Sequence, residues 1–260
     1  MKIQVYQVRQ VIKSIKQFGF KNFTDFTTLR ASRTSQQAGF TLIELLISIT
    51  MISVLALVVS EFYSQRLVSY ARSYSQILLQ TNTKQAVETM MRDIKSAQNV
   101  EPNNSLPDDN SPGAPADPYS WASTPGSPGV PAVLVLAVPA LDSGGNLLYS
   151  DALHNAVYVN NLVYYIDSAG ILYKRVIANP IAGNAAVTTC PPALASPACP
   201  ADAKVVEDVA DLQIAYYLDG NTATTTPSDA TMVEATLKQT RISFGRSYNS
   251  TLTSRARLRN

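Results

Sequence analysis

The chain has 260 residues, 46% of them hydrophobic and 15% charged, with a formal net charge of +2. That is enough for one globular domain with a second element attached. A single histidine, His154, and two cysteines fit no zinc-ligand spacing and offer no Cys-His pair.

The charge is unevenly placed. Residues 1–39 hold seven basic side chains (Lys2, Arg9, Lys13, Lys16, Lys21, Arg30, Arg33) and one acid, Asp25. Residues 40–260 carry more acids than bases, which argues against nucleic acid as their main partner. An apolar run lies where the two parts meet. Basic segments beside a spanning helix stay in the cytoplasm, so the leader is expected there, with the C-terminal part exported. Residues 5–18 also set apolar side chains at helix-like spacing beside basic ones, as a membrane-surface helix does.

Phe40 to Val59 is apolar on every side. At about 1.5 Å per residue it reaches about 30 Å as a helix, the thickness of the hydrocarbon core. Thr41, Ser48, Thr50 and Ser53 can return their hydroxyls to the helix backbone. Glu44 stands out: an ionised carboxylate in hydrocarbon costs about 2.5–3.5 kcal/mol on insertion scales.

No proline or glycine occurs from Glu61 to Asn99. Tyr63, Leu67, Tyr70, Tyr74 and Ile77 recur at gaps of four and three, which lays one apolar stripe along a continuing helix. The stripe is expected to pack against a globular head. QTNTKQA (80–86) interrupts it, Val87, Met90, Met91 and Ile94 resume it, and Pro102 ends the pattern.

Residues 101–131 are rich in Pro, Gly, Ser, Asn and Asp, and read as a long surface loop that buries little. Trp121 is its one large apolar residue and is expected to fold back as an anchor. Beyond it the period approaches two. AVLVLAV (132–138) reads as a buried strand, and residues 161–177 as a hairpin turning at Asp167–Gly170. DLQIAYYLDG (211–220), ATLKQTRISFG (235–245) and LTSRARLRN (252–260) supply further strands. In the last, Arg255, Arg257 and Arg259 share one face. The expectation is an antiparallel sheet of about four to seven strands, lying on the C-terminal half of the helix.

Cys190 and Cys199 bound CPPALASPAC, on the side expected to be exported. In an oxidising compartment they read as a disulfide around a proline-stiffened loop, worth about 2–3 kcal/mol; two unpaired thiols are the alternative.

GFTLIELL, Gly39 to Leu46, followed by a greasy helix, resembles the N-terminus of type IV prepilins and type II secretion pseudopilins. The resemblance implies an α+β, pilin-like fold, with a long N-terminal helix packed on an antiparallel sheet. It implies that a membrane-embedded prepilin peptidase cuts between Gly39 and Phe40 and methylates the new Phe40 amine. It also gives Glu44 a partner, the Phe40 amine of a neighbouring subunit, as helices bundle into a filament. The implied partners are that peptidase, other pilins or pseudopilins through the N-terminal helix, the inner-membrane assembly platform and membrane lipid. The implied location is the inner membrane, N-terminus in the cytoplasm, and then the filament.

The implied division is a leader, 1–39; a spanning half-helix, 40–60; an amphipathic half-helix, 61–100; a loop, 101–131; and a β-rich head, 132–260. Most leaders of the family are shorter. A start at Leu29 would leave LRASRTSQQAG, and a peptide from residues 2–28 in cells would exclude it.

Phe40–Asn260 is long for a major pilin, and the order of elements looks like the PilW/PulJ-type minor pilins. No catalytic constellation or Gly-rich phosphate loop is evident, which points to a structural subunit without a cofactor or metal. A secretory signal peptide would be cut after the apolar run, where VLALVVSEF is a poor site. The remaining alternative is an uncleaved, signal-anchored protein. Its head would be adhesive through residues 101–131, or would serve DNA uptake through the arginine row.

Overall fold

The structure is a computed structural model that describes residues 41–127, 130–151, 153–243 and 245–259. Helix α1 runs Leu42–Ser96. The chain divides into two compact units, one ending at Ser60 and the other spanning Glu61–Asn260.

In the first unit, every residue of α1 is exposed. Leu42, Leu45, Ile49, Ile52 and Leu57 show between 53% and 79% of their surface. The stretch is exposed all round, and α1 is long and apolar enough to cross a membrane.

In the second unit the helix acquires a buried face. Leu79, Thr83, Ala86, Val87, Met90, Met91 and Ile94 are buried, at the three-and-four spacing of one helical stripe. α1 stops at Ser96, short of Pro102, and Ala97 returns its N–H to the Asp93 carbonyl at 3.0 Å.

Among the described residues nine strands follow: β1 (Asn99–Val100), β2 (Leu134–Pro139), β3 (Val159–Ile166), β4 (Leu172–Ile177), β5 (Ala203–Val206), β6 (Val209–Tyr217), β7 (Ala223–Thr224), β8 (Met232–Ser243) and β9 (Arg246–Arg257). They form two antiparallel sheets, ordered β1-β2-β3-β4-β5 and β7-β6-β8-β9, where the sequence suggests one. The division falls between β5 and β6. Only Glu207 and Asp208 join them, and Asp208 takes a positive φ of 60° that turns the chain sharply.

One core joins the helix to both sheets. It holds Val87, Met90 and Ile94 of α1, Leu134, Leu136, Leu162 and Tyr164 of the first sheet, and Leu212, Val233 and Leu237 of the second. A smaller core lies on the other face of the first sheet: Trp121, Val135, Val163 and Ile177. Successive strand residues point to opposite faces, so β2 needs apolar side chains at every position. This is why it reads as an unbroken apolar run instead of alternating.

The β3–β4 hairpin turns at Asp167–Gly170, where the Gly170 N–H donates to the Asp167 carbonyl at 3.1 Å. Gly170 has a φ of +74°, and a Cβ there would lie 3.0 Å from the Val209 carbonyl oxygen.

Three expectations need correcting. The stripe Tyr63, Leu67, Tyr70, Tyr74 and Ile77 does not pack on the head, because each is between 53% and 75% exposed. The buried face begins only at Leu79. QTNTKQA does not break that face, since Thr83 and Ala86 sit inside it. Thr83 donates to Gln239 Oε1 on β8 at 2.6 Å, and Gln239 in turn donates to the Glu207 carbonyl. A buried polar residue is tolerated when it is paired. Residues 101–131 are also more than a surface loop, for they carry Trp121 and the buried Asn104, Asp108 and Ser111 across the second face of the first sheet.

Candidate functional site: the N-terminal helix and its anchoring head

Thr41 precedes the first helical residue and caps it. The Glu44 N–H donates to the Thr41 carbonyl at 3.0 Å and faces its hydroxyl oxygen at 3.4 Å. Ser48, Thr50 and Ser53 donate to the carbonyls of Glu44, Ile47 and Ile49, each at 2.8 Å. The hydroxyls in the apolar stretch are thus satisfied without water, as a lipid environment demands. Thr41 differs from these three in accepting a bond instead of donating one.

Glu44 lies in the first turn of α1 and is exposed. A carboxylate there faces the positive end of the helix dipole. It has no side-chain partner among the described residues. Gly39 and Phe40, the expected cleavage pair, lie outside the described residues, as does the leader.

A family model described as "Prokaryotic N-terminal methylation motif" matches residues 34–60, the segment that holds Gly39, Phe40, Glu44 and the apolar stretch. The match supports a type IV pilin-like protein. The long apolar N-terminal helix followed by antiparallel sheets is consistent with the pilin-like α+β fold. Motif and helix together point to a membrane-anchored, pilin-like chain. No curated protein matches it.

The head of this pilin-like chain is fastened by a cluster that its sequence does not announce. Arg175 on β4 is fully buried. It donates to Asp108 through Nε at 2.7 Å and Nη2 at 2.6 Å, and to Asp202 through Nη1 at 3.2 Å. The same carboxylate oxygens accept further bonds. Trp121 Nε1 donates to Asp108 at 2.7 Å, while Tyr165 Oη and Thr189 Oγ1 donate to Asp202 at 2.7 and 2.5 Å.

Burial pulls the Arg175 pKa down, but the two carboxylates more than offset this and raise it. Burial, then the hydrogen bond from its hydroxyl to Asp202, pushes the Tyr165 phenol up. Burial and the charge of Asp93 do the same to Tyr164, whose hydroxyl donates to Asp93 on α1 at 2.6 Å.

Cys190 and Cys199 are joined by a disulfide. The Asp202 N–H donates to the Cys190 carbonyl at 2.7 Å, so the bridged loop abuts the Arg175 cluster. Trp121 packs on Tyr165 with ring centroids 4.9 Å apart, as an anchor would. The cluster was hidden because its charges stand at positions 108, 175 and 202, and only the fold brings them together. One signal was available: Arg175 falls on the alternate face from Lys174 in a hairpin strand whose other residues are apolar or aromatic.

Arg255, in the expected arginine row, is engaged. Its guanidinium meets Glu234 at 2.9 Å and lies 3.9 Å from the Tyr217 ring centroid. That leaves little of it for a phosphate.

Proposed function

We propose that the chain is a structural minor pilin or pseudopilin, cleaved after Gly39, methylated at Phe40, and incorporated into or priming a type IV pilus or type II secretion pseudopilus. The observation that carries this reading is Glu44, exposed in the first turn of an apolar helix, within the methylation motif. The head is exported, and the basic leader stays in the cytoplasm until a prepilin peptidase removes it. Cleavage creates a positive amine at Phe40. In lipid that amine and the Glu44 carboxylate of a neighbouring subunit neutralise each other, and the low dielectric strengthens their attraction. Processing and assembly are thereby linked. The exposed stripe from Tyr63 to Ile77 supplies further helix surface for neighbouring subunits.

The test is Glu44→Ala beside Glu44→Asp. Both variants are expected to lose the leader normally. The alanine variant is expected to be depleted about tenfold or more from sheared filaments, and the aspartate variant less, for the loss of an ion pair in a low-dielectric site. Equal incorporation of Glu44→Ala and the parent would overturn the pairing.

A further inference from the structure

β9 is an edge strand of the second sheet, and its charges, Arg246, Arg255 and Arg257, stand at its ends and leave its middle unprotected. It pairs with β8 over twelve consecutive positions with no bulge. Residues 247–254 (SYNSTLTS) contain no charge, proline or glycine. Edges of this length are normally blunted by lysine, proline or a bulge, because alternate N–H and C=O groups point outward and invite another strand. Among the described residues, no other element bonds to the backbone of residues 247–256.

The edge also faces a groove. A cavity of about 840 Å³ runs between Asn249–Ser254 of β9 and one face of α1 from Gln80 to Lys95. The helix stretch spans about 22 Å and the strand stretch about 17 Å, so the groove runs the whole length of about six extended residues. Leu252 is half-buried and contributes apolar surface, with the core residues Val87 and Met91 behind it. The helix wall carries Lys84, Arg92 and Lys95 against a single acid, Glu88. Lys84 pairs with Glu88 at 3.8 Å. Arg92 and Lys95 are exposed and have no ion-pair partner among the described residues.

We propose that this groove binds an extended segment of another protein, which adds a strand to β9 and alternates apolar with acidic side chains. Main-chain bonds to the β9 edge would give affinity. Apolar side chains would rest on Leu252, and the acids would reach Arg92 and Lys95. The charge selects this occupant. A second copy would bring the same cations against themselves, and the basic leader would be repelled.

The inference does not depend on cleavage at Gly39, so its test is separate from that of the proposed function. The probes are two synthetic peptides, one alternating valine with glutamate and the other valine with lysine. Each is added to the detergent-solubilised full chain while binding and backbone amide exchange are followed. The glutamate peptide is expected to bind about tenfold tighter at low salt, to lose that advantage in about 1 M salt, and to slow exchange within 249–254. Arg92→Glu with Lys95→Glu, on the exposed helix face, is expected to reverse the preference. Equal binding of both peptides, no binding, or binding without protection of β9 would overturn the proposal. So would self-association through β9 in place of peptide capture.

Discussion

Arg175 concentrates more consequence than any other described side chain of the head. It is a buried guanidinium held by Asp108 and Asp202, and each of those carboxylates anchors a different segment. Removing one member of a buried ionic group leaves the others uncompensated, at about 3–5 kcal/mol. Arg175→Met is expected to destabilise the head by about that much, read from urea unfolding followed by the fluorescence of Trp121, the one tryptophan. Adding Asp108→Asn and Asp202→Asn should recover part of the loss. If Arg175→Met alone were neutral, the cluster would not be what fastens the two segments.

The tyrosines set a pH limit. Tyr164 and Tyr165 have folded pKa values raised above the ordinary 10.0, and burial pushes Tyr216 up to about 12. An unfolded chain therefore ionises these phenols before the folded one does. Their contribution is fully present below pH of about 10 and is lost as pH rises above it. Melting temperatures are expected to be level from neutral pH to about 9 and to fall beyond about 10. Tyr165→Phe is expected to flatten that fall.

At the scale of elements, α1 changes character along its length. Met90 is fully buried, while Tyr70 is 75% exposed, although both belong to apolar stripes of similar spacing. Met90→Ala is expected to cost about 2–5 kcal/mol, and Tyr70→Ala less than about 0.5 kcal/mol in the isolated chain. Urea unfolding of both variants checks the contrast. A large loss at Tyr70 would mean that the stripe packs within its own chain after all.

The same contrast shows what periodicity reports. The spacing of Tyr63–Ile77 was legible as an apolar helix face, but periodicity says only that a face is apolar and not what covers it. The hairpin at Asp167–Gly170 was readable from its turn residues, and β2 from its continuous apolar run. The second sheet was not separable, because alternation within a strand carries no information about which strand it joins. By composition residues 101–131 bury little, and the anchoring of Trp121 was legible, but not the burial of Asp108. Composition averages over a segment, whereas anchoring depends on two side chains meeting Arg175 and Tyr165.

At the scale of the molecule, the sequence divides into a basic leader, an apolar stretch and a mildly acidic remainder. The structure gives that stretch a helix with no protein cover in the isolated chain, and gives the remainder a head with its own core. Helix and methylation motif together suggest a chain anchored in a membrane by its N-terminal helix. Under the proposed function, Glu44 is the residue on which the difference between a filament subunit and a merely anchored protein turns, since a carboxylate in hydrocarbon is costly without a partner.

The most direct test is the intact mass and N-terminal peptide of the membrane-extracted protein, with and without an active prepilin peptidase. The account predicts a chain beginning at N-methylated Phe40 when the peptidase is active, and one retaining Gly39 when it is not. A chain that keeps Gly39 beside an active peptidase would contradict it, and would leave a signal-anchored protein in which Glu44 has no partner.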